Sequence, residues 1–144
     1  FFLHSKKAIF IEKYFYHYRR NNIFSLTSVY KPQLLQQWDK LFEIISQHII
    51  QNRLDHTYHK ALSNRIALSC IALGLNEMEC DGSAVNKIKK IRTLLAKPRY
   101  QEALKDLDIA RLPIHWKVFF LFARINWTVG IYGLLRIIQK IRGK

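Results

Sequence analysis

The sequence predicts a mainly α protein: about five helices in a bundle, with one N-terminal β-strand. Three observations carry that prediction. Apolar residues recur three and four positions apart through most of residues 32–112, the period of a helix with one buried face. Pro32, Ser83, Pro98 and Pro113 punctuate those runs where helices start or stop. The β-like run at the front, Ala8-Ile9-Phe10-Ile11, finds no second run to pair with, and a lone strand cannot satisfy its own backbone groups. The strand is therefore expected to belong to a sheet whose other strands are missing from these residues.

Residues 8–28 pass from that strand through Tyr14, Phe15, Tyr16, His17 and Tyr18 into a polar loop with Arg19, Arg20, Asn21, Asn22, Ser25 and Thr27. Two guanidinium forks, two amides and two hydroxyls suit phosphate or sugar oxygens. Pro32 opens a first helix, 32–52, with Leu34, Leu35, Trp38, Leu41, Phe42, Ile45 and Ile49 on one stripe and Asp39 and Glu43 on the polar side. Asp55 or Thr57 can cap a second helix, 57–75, whose stripe is Leu62, Ile66, Cys70 and Leu73. Its second half is apolar nearly all round, which predicts a central position in the bundle. Residues 76–82 read as a polar, acidic loop closed by Gly82. Ser83 caps a third helix with Ala84, Ile88, Ile91 and Leu95 inward and Lys87, Lys89, Lys90 and Arg92 around them. A fourth, 99–110, follows Pro98. Residues 114–141 read as one long amphipathic helix.

The chain of 144 residues has room for one domain with a real core. It divides into residues 1–28 (sheet end and loop), 29–112 (helical bundle) and 113–144 (basic C-terminal helix). It opens with Phe1 and holds a single methionine, Met78, so it is expected to be a piece of a longer protein. The net charge is +14 and uneven: residues 86–144 hold 14 Lys/Arg against 3 Asp/Glu, and residues 1–85 hold 10 against 7. A basic helical surface suits anionic lipid, nucleic acid or the phosphates of a sugar nucleotide. Two cysteines without CxxC spacing favour a reducing cytoplasm over a disulfide scaffold.

The last segment is too broken by charge to cross a bilayer. Arg124 near its middle costs about 2.5–3.5 kcal/mol on insertion scales. It reads as an interfacial helix, with Trp116 and Trp127 at headgroup depth and Lys117, Arg136 and Lys140 meeting anionic phosphates.

Other constellations carry less. His56 and His59, three apart beside Asp55, lack a third zinc ligand and read as helix-end residues. Glu77, Glu79 and Asp81 lack the spacing of a cation loop and read as solvated charge. No Gly-rich phosphate loop, activated nucleophile or poised carboxylate pair appears, so no catalytic residue is assigned.

Aromatic-x-Tyr-Arg followed by Ser-x-Thr (here Tyr16, Tyr18, Arg19, Ser25 and Thr27) resembles the region just after the catalytic core of family 2 glycosyltransferases. Those GT-A-fold enzymes build bacterial capsule, exopolysaccharide and cell-wall glycans. The likeness departs from the family at Tyr14, where a proline is usual, and in the longer spacing from Arg19 to Ser25. It extends through the helices to Arg99-Tyr100-Gln101-Glu102-Ala103-Leu104 and to Leu112-Pro113-Ile114-His115-Trp116-Lys117, similar to the Leu-Pro-x-x-Trp-Lys phrase before the family's basic, aromatic C-terminal helix.

The resemblance implies a C-terminal accessory region of a transferase. Its strand would belong to the missing GT-A sheet. Tyr16, Tyr18, Arg19 and Ser25 would line the donor or acceptor site, and the C-terminal helix would hold a cytoplasmic enzyme at the inner membrane face. The nucleotide sugar and the divalent metal would come with the missing core, leaving this region inactive alone and without a cofactor of its own. Its partners would be that GT-A domain, the anionic membrane surface and a glycan or lipid-linked acceptor. The alternative is a basic helical module binding nucleic acid or an acidic protein, motivated by the +14 charge.

Overall fold

The computed structural model describes residues 29–141 together with Lys7, Ile9, Glu12 and Lys13. The strand expected at 8–11, apart from Ile9, and the polar loop up to Ser28 lie outside the described residues. Among the described residues the protein is helical: α1 Leu34–Gln51, α2 His56–Met78, α3 Ala84–Leu95, α4 Pro98–Asp106, α5 Ile114–Arg124 and α6 Thr128–Ile141.

Local chemistry sets most of the boundaries. The Asp55 carboxylate caps α2 by accepting from the Thr57 amide at 2.8 Å. Ser83 caps α3 through the Asn86 amide, and Pro98 takes the first turn of α4. α1 ends in a Schellman turn: Leu54 N–H reaches Ile49 O, Arg53 N–H reaches Ile50 O, and Arg53 adopts φ +50°.

α2 is the centre, and α1, α3, α4 and α6 all pack on it. From Ile66 onward it buries Ala67, Cys70, Leu73 and Gly74. At Gly74 the missing side chain admits α6: an added Cβ would lie 3.0 Å from Leu135 Cδ1. Phe42, Ile91, Leu95, Tyr100, Leu104, Phe119, Phe120, Ile131 and Leu135 complete one continuous core.

Two expectations are corrected. The stretch 76–82 is a solvated turn only from 79 on, where Asp81 and Gly82 are exposed, because α2 continues to Met78 and buries Asn76 and Glu77. Those two polar side chains are buried because each is bonded. The Asn76 amide pairs with both backbone groups of Lys31, at 2.9 and 3.0 Å. Glu77 accepts from Asn76 and Tyr30 and faces Lys90 at 3.8 Å.

The segment 114–141 is two helices, not one. α5 closes in a second Schellman turn, with Asn126 at φ +54° and Trp127 N–H on Phe122 O at 2.9 Å. Asn tolerates this left-handed geometry better than most residues. The pair α5–α6 folds back on the bundle, which also accounts for six helices among the described residues where the periodicity predicts about five.

One polar junction ties α1 to α4. The Asp39 carboxylate accepts from Lys97 Nζ at 2.5 Å and from the fully buried Tyr100 hydroxyl at 3.0 Å. Arg99 reaches the Asp39 carbonyl and Glu43. Tyr100→Phe deletes a hydrogen bond to a charged acceptor and is expected to lower unfolding stability by about 1.5 kcal/mol. Urea denaturation with an unchanged m-value would report it. A change near zero would mean that Lys97 alone satisfies Asp39.

Candidate functional site

The surface that stands out is the corner between α5 and α6. Ile114, Leu121 and Ile125 share one exposed stripe of α5, since spacings of seven and eleven residues return to one helix face. Trp127 and Val129 follow round the turn, so Leu121, Ile125 (71 % exposed), Trp127 (50 %) and Val129 form an apolar knuckle. The Trp127 ring stands edge-on to Phe122 at 4.4 Å, the hydrophobic contact that accompanies a Schellman turn. Gly130 makes room for both rings, because an added Cβ would lie 2.6 Å from Trp127 Cε3 and 2.9 Å from Phe122.

The same segment carries cations and no acid of its own, although Glu79 of the α2 end accepts from Gln139 on α6 at 3.0 Å. Residues 109–141 contain no Asp or Glu. Arg136 and Lys140 lie one turn apart on the exposed face of α6, and Lys117 is half-buried on α5. Among the described residues none of the three has a carboxylate within ion-pair reach. Arg136 rests on the Tyr132 ring at 6.0 Å.

Arg124 is not part of this surface. It donates to the carbonyls of Leu104 (2.8 Å), Lys105 and Leu107, closing the C-terminal end of α4. Trp116 also departs from its expected position: it is half-buried, packs on the core and stacks beside His115 at 5.1 Å. The structure thus brings together Trp127, Arg136 and Lys140, leaves Lys117 at the edge, and turns Trp116 inward. Leu121, Ile125 and Val129 were not singled out, because an apolar run does not show which of its residues find a partner. Tyr16, Tyr18, Arg19 and Ser25 lie outside the described residues.

The basic face of α3 is partly committed to the fold. Lys87 Nζ donates to the Met78 carbonyl at 2.7 Å, and Lys90 Nζ donates to the Tyr30 hydroxyl at 2.8 Å while lying 4.6 Å from its ring centre. Lys97, just beyond α3, holds Asp39. His56 and His59 stand exposed on the first turn of α2, and Cys70 and Cys80 are buried thiols. No helix among the described residues is long and apolar enough to cross a membrane.

No protein-family model matches the chain, and neither a curated protein nor a solved structure is significantly similar to it.

Two measurements test this geometry. An exposed helical glycine changed to alanine gains about 1 kcal/mol, and Gly133, with open space around it, is expected to show that gain. Gly130→Ala is expected to reverse the sign, lowering the urea midpoint and altering Trp127 fluorescence. Equal gains at both positions would disprove the close packing.

Burial pushes the Cys70 thiol from 9.0 up to about 12. The folded protein therefore keeps this proton after the unfolded chain has lost it. Stability is expected to be intact below pH 9 and to fall as pH rises towards 12, with a shallower fall in Cys70→Ala. Identical slopes would show that Cys70 does not contribute.

Proposed function

We propose that this chain is the C-terminal accessory region of a family 2 glycosyltransferase. The parent enzyme would transfer sugar from a nucleotide-sugar donor to a glycan or lipid-linked acceptor. The helical bundle would hold it on the anionic inner face of the cell membrane. Tyr16, Tyr18, Arg19 and Ser25 would shape the acceptor side of the site in the GT-A domain, and the bundle alone would not catalyse transfer.

The observation that carries the attachment is the apolar corner at Ile125–Val129 beside cations that no acid of residues 109–141 neutralises. Exposed apolar surface joined to positive charge is what an anionic bilayer takes up. The enzyme class rests on the Tyr-Arg…Ser-x-Thr and Leu-Pro-x-x-Trp-Lys phrases. A nucleic-acid module has less support, since Lys87, Lys90 and Lys97 are engaged within the fold.

Truncation before Ile114 is a poor test, because it strips Phe119, Phe120, Ile131 and Leu135 from the core. Surface substitution is better. Co-sedimentation with vesicles containing phosphatidylglycerol is expected to weaken in Arg136→Ala/Lys140→Ala by about thirtyfold, at about 1 kcal/mol per cation. Vesicles of phosphatidylcholine alone are expected to bind far less. Salt-sensitive binding to RNA, with none to anionic vesicles, would move the conclusion to the nucleic-acid module.

For the enzyme class, transfer is expected only from a polypeptide joining these residues to a GT-A core. Arg19→Ala there is expected to lower kcat/KM by about tenfold or more while leaving membrane association intact. No nucleotide-sugar-dependent transfer from such a polypeptide would refute the class.

A further inference from the structure

We infer that the bundle meets the bilayer corner-first, through the α5–α6 turn, and not by laying the apolar face of α6 in the membrane plane. The inference rests on the membrane-attachment reading above and specifies how that surface works.

The apolar face of α6 is already occupied. Ile131 and Leu135 are fully buried, and Tyr132, Leu134 and Ile138 pack against the core. Leu135 sits over Gly74 of α2. Placing that face in lipid would pull these side chains from a filled interior and leave a cavity on α2, which close-packed cores do not tolerate. Outside that filled face, the exposed large apolar side chains of residues 114–141 are Ile114, Leu121, Ile125, Trp127, Val129, Ile137 and Ile141, and four of them, Leu121, Ile125, Trp127 and Val129, fall close together in the chain about the corner.

The cations stand at the matching height. At about 1.5 Å per residue, Arg136 lies about 10 Å along α6 from Val129, and Lys117 lies about 6 Å along α5 from Leu121. An apolar tip entering about 5–10 Å places its flanking positive charges at the phosphate level. The partner is therefore an anionic phospholipid surface. The Schellman turn and the Phe122–Trp127 contact hold the tip in shape before it meets lipid, which limits the ordering cost of insertion.

The test labels single introduced cysteines with nitroxide at Ile125→Cys and, as a control on α1, Gln36→Cys. Native Cys70 and Cys80 are buried and should stay unlabelled in the folded protein. With phosphatidylglycerol vesicles, the label at position 125 is expected to gain oxygen accessibility and lose accessibility to a water-soluble nickel relaxant. The label at position 36 should not change. Ile125→Ser/Val129→Ser is expected to reduce vesicle binding at least tenfold, and the amides of Ile131 and Leu135 should keep their hydrogen-exchange protection on vesicles.

Binding that persists undiminished in Ile125→Ser/Val129→Ser, with position 125 still in water, would overturn the corner while leaving attachment standing. Binding accompanied by loss of protection at Ile131 and Leu135 would overturn it in favour of an unpeeled helix. No binding of the unsubstituted protein to anionic vesicles would remove the attachment reading itself.

Discussion

The second half of α2 is too apolar for any single neighbour to cover. Ile66, Ala67, Cys70, Ile71, Leu73 and Met78 point in several directions, so burying them requires helices on more than one side. α1, α3, α4 and α6 supply that cover. Gly74 lets one of them approach closely enough for Leu135 to fill the space above the backbone. The chain order then constrains the rest. α3 and α4 are short and joined by a tight turn at Pro98, and α5 must pass α4 before α6 can return to α2.

Polar groups serve this arrangement at three junctions. Asp39 joins α1 to α4 through Lys97 and the buried Tyr100 hydroxyl. Glu77 and Asn76 hold Tyr30 and Lys31 against the end of α2 and draw in Lys90. Arg124 closes the carbonyl end of α4, where a guanidinium fork can meet several acceptors at once. Each junction takes cations out of the available pool. A formal charge of +14 therefore overstates the basic surface of α3 and understates the contrast with residues 109–141, which hold no acid of their own.

The proposed membrane attachment rests on that contrast. A basic chain could meet many anionic partners, and charge alone does not separate them. The apolar corner is what favours the proposed bilayer partner, because a nucleic-acid backbone offers nothing to Leu121, Ile125 and Val129 while a bilayer interface does. The corner exists because α5 ends at Arg124, the chain reverses through Asn126 and α6 turns back. A single continuous helix would have spread those side chains along its length.

Much of the fold was legible in residues that act locally. Asp55, Ser83 and Pro98 mark helix starts because a cap or a fixed φ works within one turn. Most of the α1 stripe, Ile88, Ile91 and Leu95 of α3 and the central place of α2 follow from spacing alone, while Leu41 and Ala84, placed on those stripes by the same spacing, are exposed. At the site, Trp127, Arg136 and Lys140 were legible as surface, while Trp116 was misplaced and Leu121, Ile125 and Val129 were missed. Hydrophobicity identifies what can be buried, not which apolar residues find a partner. The sequence by itself thus determined the helices, their caps and the cationic C-terminal third. Only the tertiary structure decided that Glu77 is buried, that Arg124 closes α4 and that residues 114–141 fold into a pair. Contacts between elements 20 to 60 residues apart leave no periodic trace, and the left-handed turn at Asn126 carries no apolar signal of its own.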